Sequence, residues 1–187
     1  NALDAIEAAL DDTPRPDHRH RLEHVQMARE DQLERMAGLG VLASVFANHV
    51  WYWGDRHRDR FLGQERAERI DPLASFAEHG IPHALHCDAP VTPIDPLFTI
   101  WTAVNRVTRD GEVLGPEQRA GVEAAVAGYT NSAAYLNMEE HDKGTLEVGK
   151  LADLVVLGED PFEVEPDTIR DIDVLATVVG GAIEHEA

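Results

Sequence analysis

Lysine is nearly absent: only Lys143 and Lys150 occur among 187 residues, against 14 arginines and 35 acidic side chains. The formal net charge is −19. Such a field repels phosphate backbones, so nucleic acid is excluded as a partner on electrostatic grounds. An acidic surface stripped of lysine is suited to staying hydrated in concentrated salt, and a halophilic protein is expected; arginine-rich codon usage is the ordinary alternative. Cys87 is the single cysteine, which rules out an intrachain disulfide framework and a four-cysteine zinc site. No run is long and apolar enough to cross a membrane, and no secretory apolar segment opens the chain, so no membrane partner and a cytoplasmic location are expected. Also missing are a Gly-x-Ser-x-Gly elbow, a Walker loop and a Gly-x-Gly-x-x-Gly after a strand.

What is present is enough for a core, with 43% hydrophobic residues. The chain opens on Asn1 already in helical rhythm, without Met or a cap, and is expected to be a piece of a longer polypeptide. Through about residue 140, helical patterns alternate with short apolar runs, which predicts βα units and a parallel sheet. Helices are expected over 2–11, 29–38, 72–79, 96–106, 116–128 and 130–137, and strands over 21–25, 41–47 and 82–88. The charged stretch 55–69 reads as a solvated loop and helix. From about residue 144 the pattern shifts to β-rich runs, Leu154–Leu157 and Leu175–Val179, between Gly, Asp and Pro turns. The division expected is 1–140 and 141–187, the second a small β element.

The three early strands each end in polar groups: Glu23-His24, Asn48-His49 and His86-Cys87-Asp88. In parallel α/β folds functional residues gather where strands end. Strand alternation puts His86 and Asp88 on one face and Cys87 on the other, which argues against Cys87 as a nucleophile. Imidazole and carboxylate at strand ends suit zinc or a similar cation, and a cation can lower the pKa of a bound water. Equally, a histidine there can be a satisfied core residue, and Asp-Ala-Pro can be an ordinary turn. His18, His20, His57, His141 and His185 lie in Pro/Arg-rich, charged or polar stretches and are read as surface residues.

Arg19-His20-Arg21-Leu22-Glu23-His24-Val25-Gln26 and His86-Cys87-Asp88-Ala89-Pro90-Val91-Thr92-Pro93 resemble segments of the amidohydrolase family 3, or YtcJ-like, branch of the amidohydrolase superfamily. Leu97–Thr108 resembles the helix that follows, and Lys143–Leu157 the entry to the C-terminal β element. Phe46-Ala47-Asn48 and Cys87 depart from the branch pattern.

The resemblance implies the last part of a (β/α)8 metal-dependent hydrolase barrel, about strands six to eight, followed by the C-terminal half of a small β-sandwich. It implies that His24 and Asp88 bind a divalent metal, zinc being the leading choice, and that Asp88 moves the proton of the attacking hydroxide. His49 and His86 fall where substrate is contacted. The implied reaction is hydrolysis of an amide, formamide or cyclic amide C–N bond in a small molecule. The remaining ligands of the family, an His-x-His, a bridging ligand and another histidine, are expected upstream, so this chain alone is expected to be inactive. It is also expected to self-associate or to join the missing N-terminal part. Since some members of the branch carry names as regulators of exoenzyme production, a non-catalytic role is the alternative.

Overall fold

The structure is a computed structural model and describes residues 2–187; Asn1, on which the reading of the chain's start rests, lies outside them. The first elements follow the periodicity of the sequence. Helix α1 (Ala2–Asp12) buries Leu3, and strand β1 covers Arg21–His24. Helix α2 (Glu30–Leu39) turns Leu33 and Met36 inward. It starts with Arg29 N–H donating to the Gln32 side chain at 3.0 Å, and it stops at Gly40, whose φ of 68° is the left-handed conformation that ends helices. Strand β2 (Leu42–Val45) is buried along its whole length. That explains its unbroken apolar run: a central parallel strand is covered on both faces.

Helix α3 (His49–Arg56) runs directly into a π-helical turn over His57–Leu62, and α4 (Gln64–Ala67) follows. The charged stretch is therefore helical almost throughout rather than looped. From this stretch Ala67 turns inward to a separate small cluster with Val50, Ile70 and Leu114, while most of the charged side chains stay at the surface. Helix α5 (Leu73–Glu78) leads to β3 (His83–Leu85). The sheet order is β1-β2-β3, all parallel, with Glu23 opposite Ser44 and Ser44 opposite Ala84.

Helix α6 (Pro96–Asn105) is the hub of the rest. Asp95 accepts from the Phe98 N–H at 3.0 Å, and Pro96 occupies the first turn, where its missing N–H costs nothing. The expected helix at 116–128 is instead a 3₁₀ turn, Pro116–Gln118, and α7 (Val122–Ala127), separated at Gly121. Helix α8 covers Asn131–Leu136.

A second sheet, order β4-β5-β6, is antiparallel: β4 (Leu154–Leu157), β5 (Val174–Val179) and β6 (Ala182–Glu186). Between β4 and β5 a 3₁₀ turn, Pro166–Asp171, packs on α6: Trp101 Nε1 donates to the Asp167 carbonyl at 3.0 Å and the Arg170 guanidinium lies 4.2 Å from the Trp101 ring. Val155, Val156, Val179 and Ile183 of this sheet stay exposed. No helix among the described residues is long and apolar enough to cross a membrane.

Candidate functional site

The parallel strands stop earlier than their apolar runs. β1 ends at His24, β2 at Val45 and β3 at Leu85, so His49, His86 and Asp88 sit on the segments that leave the sheet. Alternation inside a strand therefore does not govern His86 and Asp88. Backbone conformation does: His24, Val25 and Asp88 have φ of 67°, 45° and 53°. Non-glycine residues seldom adopt such angles, a β-branched valine least of all, and each costs on the order of 1–3 kcal/mol unless its surroundings hold it. These turns carry the side chains over the carboxyl ends of the strands.

The four side chains singled out in the sequence meet there. His24 Nε2 lies 3.8 Å from Asp88 Oδ2, across the width of the sheet from β1 to the end of β3. The ring centroid of His24 is 5.1 Å from His86 and 5.6 Å from His49. The floor of the cluster is Phe46, whose ring lies 4.4 Å from His49, 5.4 Å from His86 and 5.6 Å from His24. Phe46, at sequence level only a departure from the family pattern, is thus the apolar surface on which three imidazoles pack. Its neighbour Asn48 is buried and donates to the hydroxyls of Thr92 and Thr99, both at 3.1 Å, tying the end of β2 to the segment after β3.

Exposure separates the members. His24 and Asp88 are 39% and 38% exposed, open to a ligand, whereas His49 is 14% exposed. Burial, aided by the neighbouring His24, pushes the His86 imidazole below its ordinary pKa and favours its neutral form. His86 Nε2 is buried without a partner among the described residues. Beside His86 and Asp88 an open cavity of about 430 Å³ runs along the sheet face, reaching Glu23, Ser44 and Tyr129. Burial raises the Tyr129 phenol to about 12, so it stays protonated.

Three residues join the site that sequence reasoning missed. Asp71 is fully buried, and its Oδ1 lies 3.2 Å from His49 Nδ1. His57, read from its charged surroundings as a surface residue, has its ring 6.1 Å from His49, and its Nδ1 is buried and unpartnered among the described residues. It opens the π-helical turn, a distortion that often marks functional positions. Gln26 bonds to His57 Nε2 at 3.0 Å. None of these contacts follows from sequence spacing. The one available signal was Asp71-Pro72 closing a charged run just before an apolar helix.

Imidazole and carboxylate are suitable donors for a divalent cation. A catalytic zinc, however, needs three protein ligands, and among the described residues no group of three or more His, Cys, Asp or Glu side chains converges closely enough to hold a metal ion. The described residues thus do not make a complete metal site by themselves.

Residues 1–185 match the sequence model of the amidohydrolase family. The chain is 31% identical over 167 residues to an N-substituted formamide deformylase of Arthrobacter pascens, covering 89% of this chain and 31% of that protein. It is 29% identical over 189 residues to the putative amidohydrolase YtcJ of Bacillus subtilis, covering 99% of this chain and 36% of that one. An uncharacterized metal-dependent hydrolase from Pyrococcus horikoshii, solved by crystallography, matches with a TM-score of 0.74 and 29% identity, over 88% of this chain and 32% of its own. The chain therefore spans about a third of the length of the relatives it matches. Its α/β fold is that of a (β/α)8 hydrolase over the shared region. The chain belongs to the amidohydrolase family.

Proposed function

We propose that this chain is the strand-six-to-eight portion, with the following β element, of an enzyme that hydrolyses a C–N bond in a small amide, formamide or cyclic amide. The observation that carries the proposal is the approach of His24 and Asp88 to 3.8 Å at the carboxyl ends of non-adjacent strands, held there by left-handed turns. In this reading the two side chains are part of a divalent-metal site, most simply zinc, and the other ligands come from the rest of the whole protein. The metal would supply the activation of water. Asp88, whose side chain is 38% exposed, takes and returns a proton, while His49 and His86 contact substrate. The cavity beside Asp88 and His86, about 430 Å³, falls in the size range of small-molecule sites, and the similarity to a formamide deformylase favours the C–N class.

The test compares the whole protein with this chain. The whole protein should bind about one equivalent of metal or more and hydrolyse members of an amide and formamide panel. Asp88→Asn should lower kcat by roughly 10²–10⁴-fold, the range for loss of a proton-transfer group, and His24→Ala should lower the metal content. This chain alone should bind zinc weakly and hydrolyse nothing. Full metal occupancy and turnover in both variants would sink the assignment, and a metal-loaded whole protein without turnover would favour a non-catalytic role.

A further inference from the structure

Asp71 is held from every side. Its N–H donates to the Gln26 carbonyl at 3.0 Å, its own carbonyl accepts from Arg106 Nη1 at 3.1 Å, and the adjacent Ile70 carbonyl accepts from Arg106 Nη2 at 2.8 Å. Its φ of 48° is a conformation that the surrounding bonds must enforce. The carboxylate this turn presents is wholly buried, with His49 Nδ1 as its hydrogen-bond partner and His57 close enough to feel its charge. Its second oxygen is unpartnered among the described residues, and the Arg106 guanidinium, bonded to the carbonyls of this turn, lies close enough to act on its charge. His49 in turn is wedged between Phe46 and Trp53, with ring centroids at 4.4 and 5.9 Å. At 3.2 Å a carboxylate oxygen accepts and the ring nitrogen donates, which places a proton on Nδ1; a neutral imidazole holding it there has a bare Nε2.

We propose that Asp71 is a positioning residue that fixes His49 as its Nδ1–H tautomer, so that Nε2 is a hydrogen-bond acceptor for an N–H group of the substrate. This rests on the reading of His49 as substrate-facing. It narrows the substrate class to amides or formamides that retain an N–H on the scissile nitrogen, since a fully substituted nitrogen offers nothing for Nε2 to accept. Recognition of this kind is discriminating, because a site built to accept a substrate N–H loses that bond with an analogue lacking it.

Two measurements test it. In the metal-free, ¹⁵N-labelled chain at a pH where imidazoles are neutral, long-range ¹H–¹⁵N correlation reports the tautomer of each histidine, with His49 assigned by its loss in His49→Gln. His49 should show a protonated Nδ1 and a bare Nε2, and Asp71→Asn, whose amide can donate, should shift it toward the Nε2–H form. A mainly Nε2–H pattern in the unaltered chain overturns the proposal whether or not any variant folds. In the whole enzyme, Asp71→Asn should lower kcat/KM about 10–100-fold on an N-monosubstituted formamide and far less on its N,N-disubstituted analogue. An equal loss on both overturns the acceptor role. A whole protein that hydrolyses neither substrate refutes the hydrolase reading and the acceptor role with it, while the tautomer result stands on its own.

Discussion

Arg106 is the most demanding residue in the fold. Its guanidinium is 1% exposed and donates to three backbone carbonyls: Leu114 at 2.8 Å through Nε, Asp71 at 3.1 Å and Ile70 at 2.8 Å. Burial pulls its pKa down to about 10, which still leaves it charged at neutral pH. A buried cation survives only where its hydrogen bonds are met, and here one side chain fastens the chain after α6 to the turn that carries Asp71. Replacing it with Leu would leave the buried Ile70 and Leu114 carbonyls unpaired and the Asp71 carbonyl with the Leu73 N–H alone. Arg106→Leu should therefore cost about 3–5 kcal/mol in denaturant unfolding. Arg106→Lys should recover only part of it, because an ammonium cannot reproduce the planar fork. A loss below about 1 kcal/mol for the leucine variant would show that water replaces the lost bonds.

Among elements, the turn before Pro116 is the sharpest test of packing. Gly115 has φ of 62°, and a Cβ there would lie 1.8 Å from the Glu68 carbonyl oxygen, so the strand-like return after α6 passes directly against the end of α4. Gly63 also has positive φ, 76°, but a Cβ there meets nothing within 4 Å. Gly63→Ala should cost only the backbone strain of its φ 76°, ψ 165° conformation, on the order of 1–3 kcal/mol, whereas Gly115→Ala should cost clearly more, read as the difference between the two unfolding free energies. Equal losses would mean the α4 end yields freely. Elements of this kind were partly legible. The helices with an apolar stripe and a glycine stop, such as Glu30–Leu39 ending at Gly40, could be read because both signals are local. β6 was missed although Gly180-Gly181 is a two-residue hairpin signal, because Glu184, His185 and Glu186 are exposed and give no alternation. At the site, His24 and Asp88 were visible as polar ends of apolar runs. Asp71 and His57 were not, since only the tertiary path around α3 brings them to His49.

At the scale of the whole molecule, charge and shape pull in opposite directions. The formal charge of −19 opposes compaction and opposes any approach of two copies. Yet β1 and β3 are the outer strands of a three-stranded sheet, β3 only partly covered where Leu85 N–H donates to the Gly128 carbonyl at 3.0 Å, and Val155, Val156 and Ile183 stand exposed on the other sheet; such surfaces favour pairing. Salt decides between them. The screening length is about 8 Å at 0.15 M and about 3 Å at 1 M, so molar salt removes most of the repulsion while strengthening apolar burial only if the anion is well hydrated. The melting temperature of this chain should therefore rise steadily from dilute buffer to molar KCl, and the mass measured by light scattering in the same series should move from monomer toward a self-associated form. Adding the remaining polypeptide of the whole protein in trans should suppress that association, because both would compete for the same edges. A melting temperature that falls with salt would exclude a surface adapted to brine, and a sharp monomer at every concentration would mean that the open edges are blunted within this chain itself.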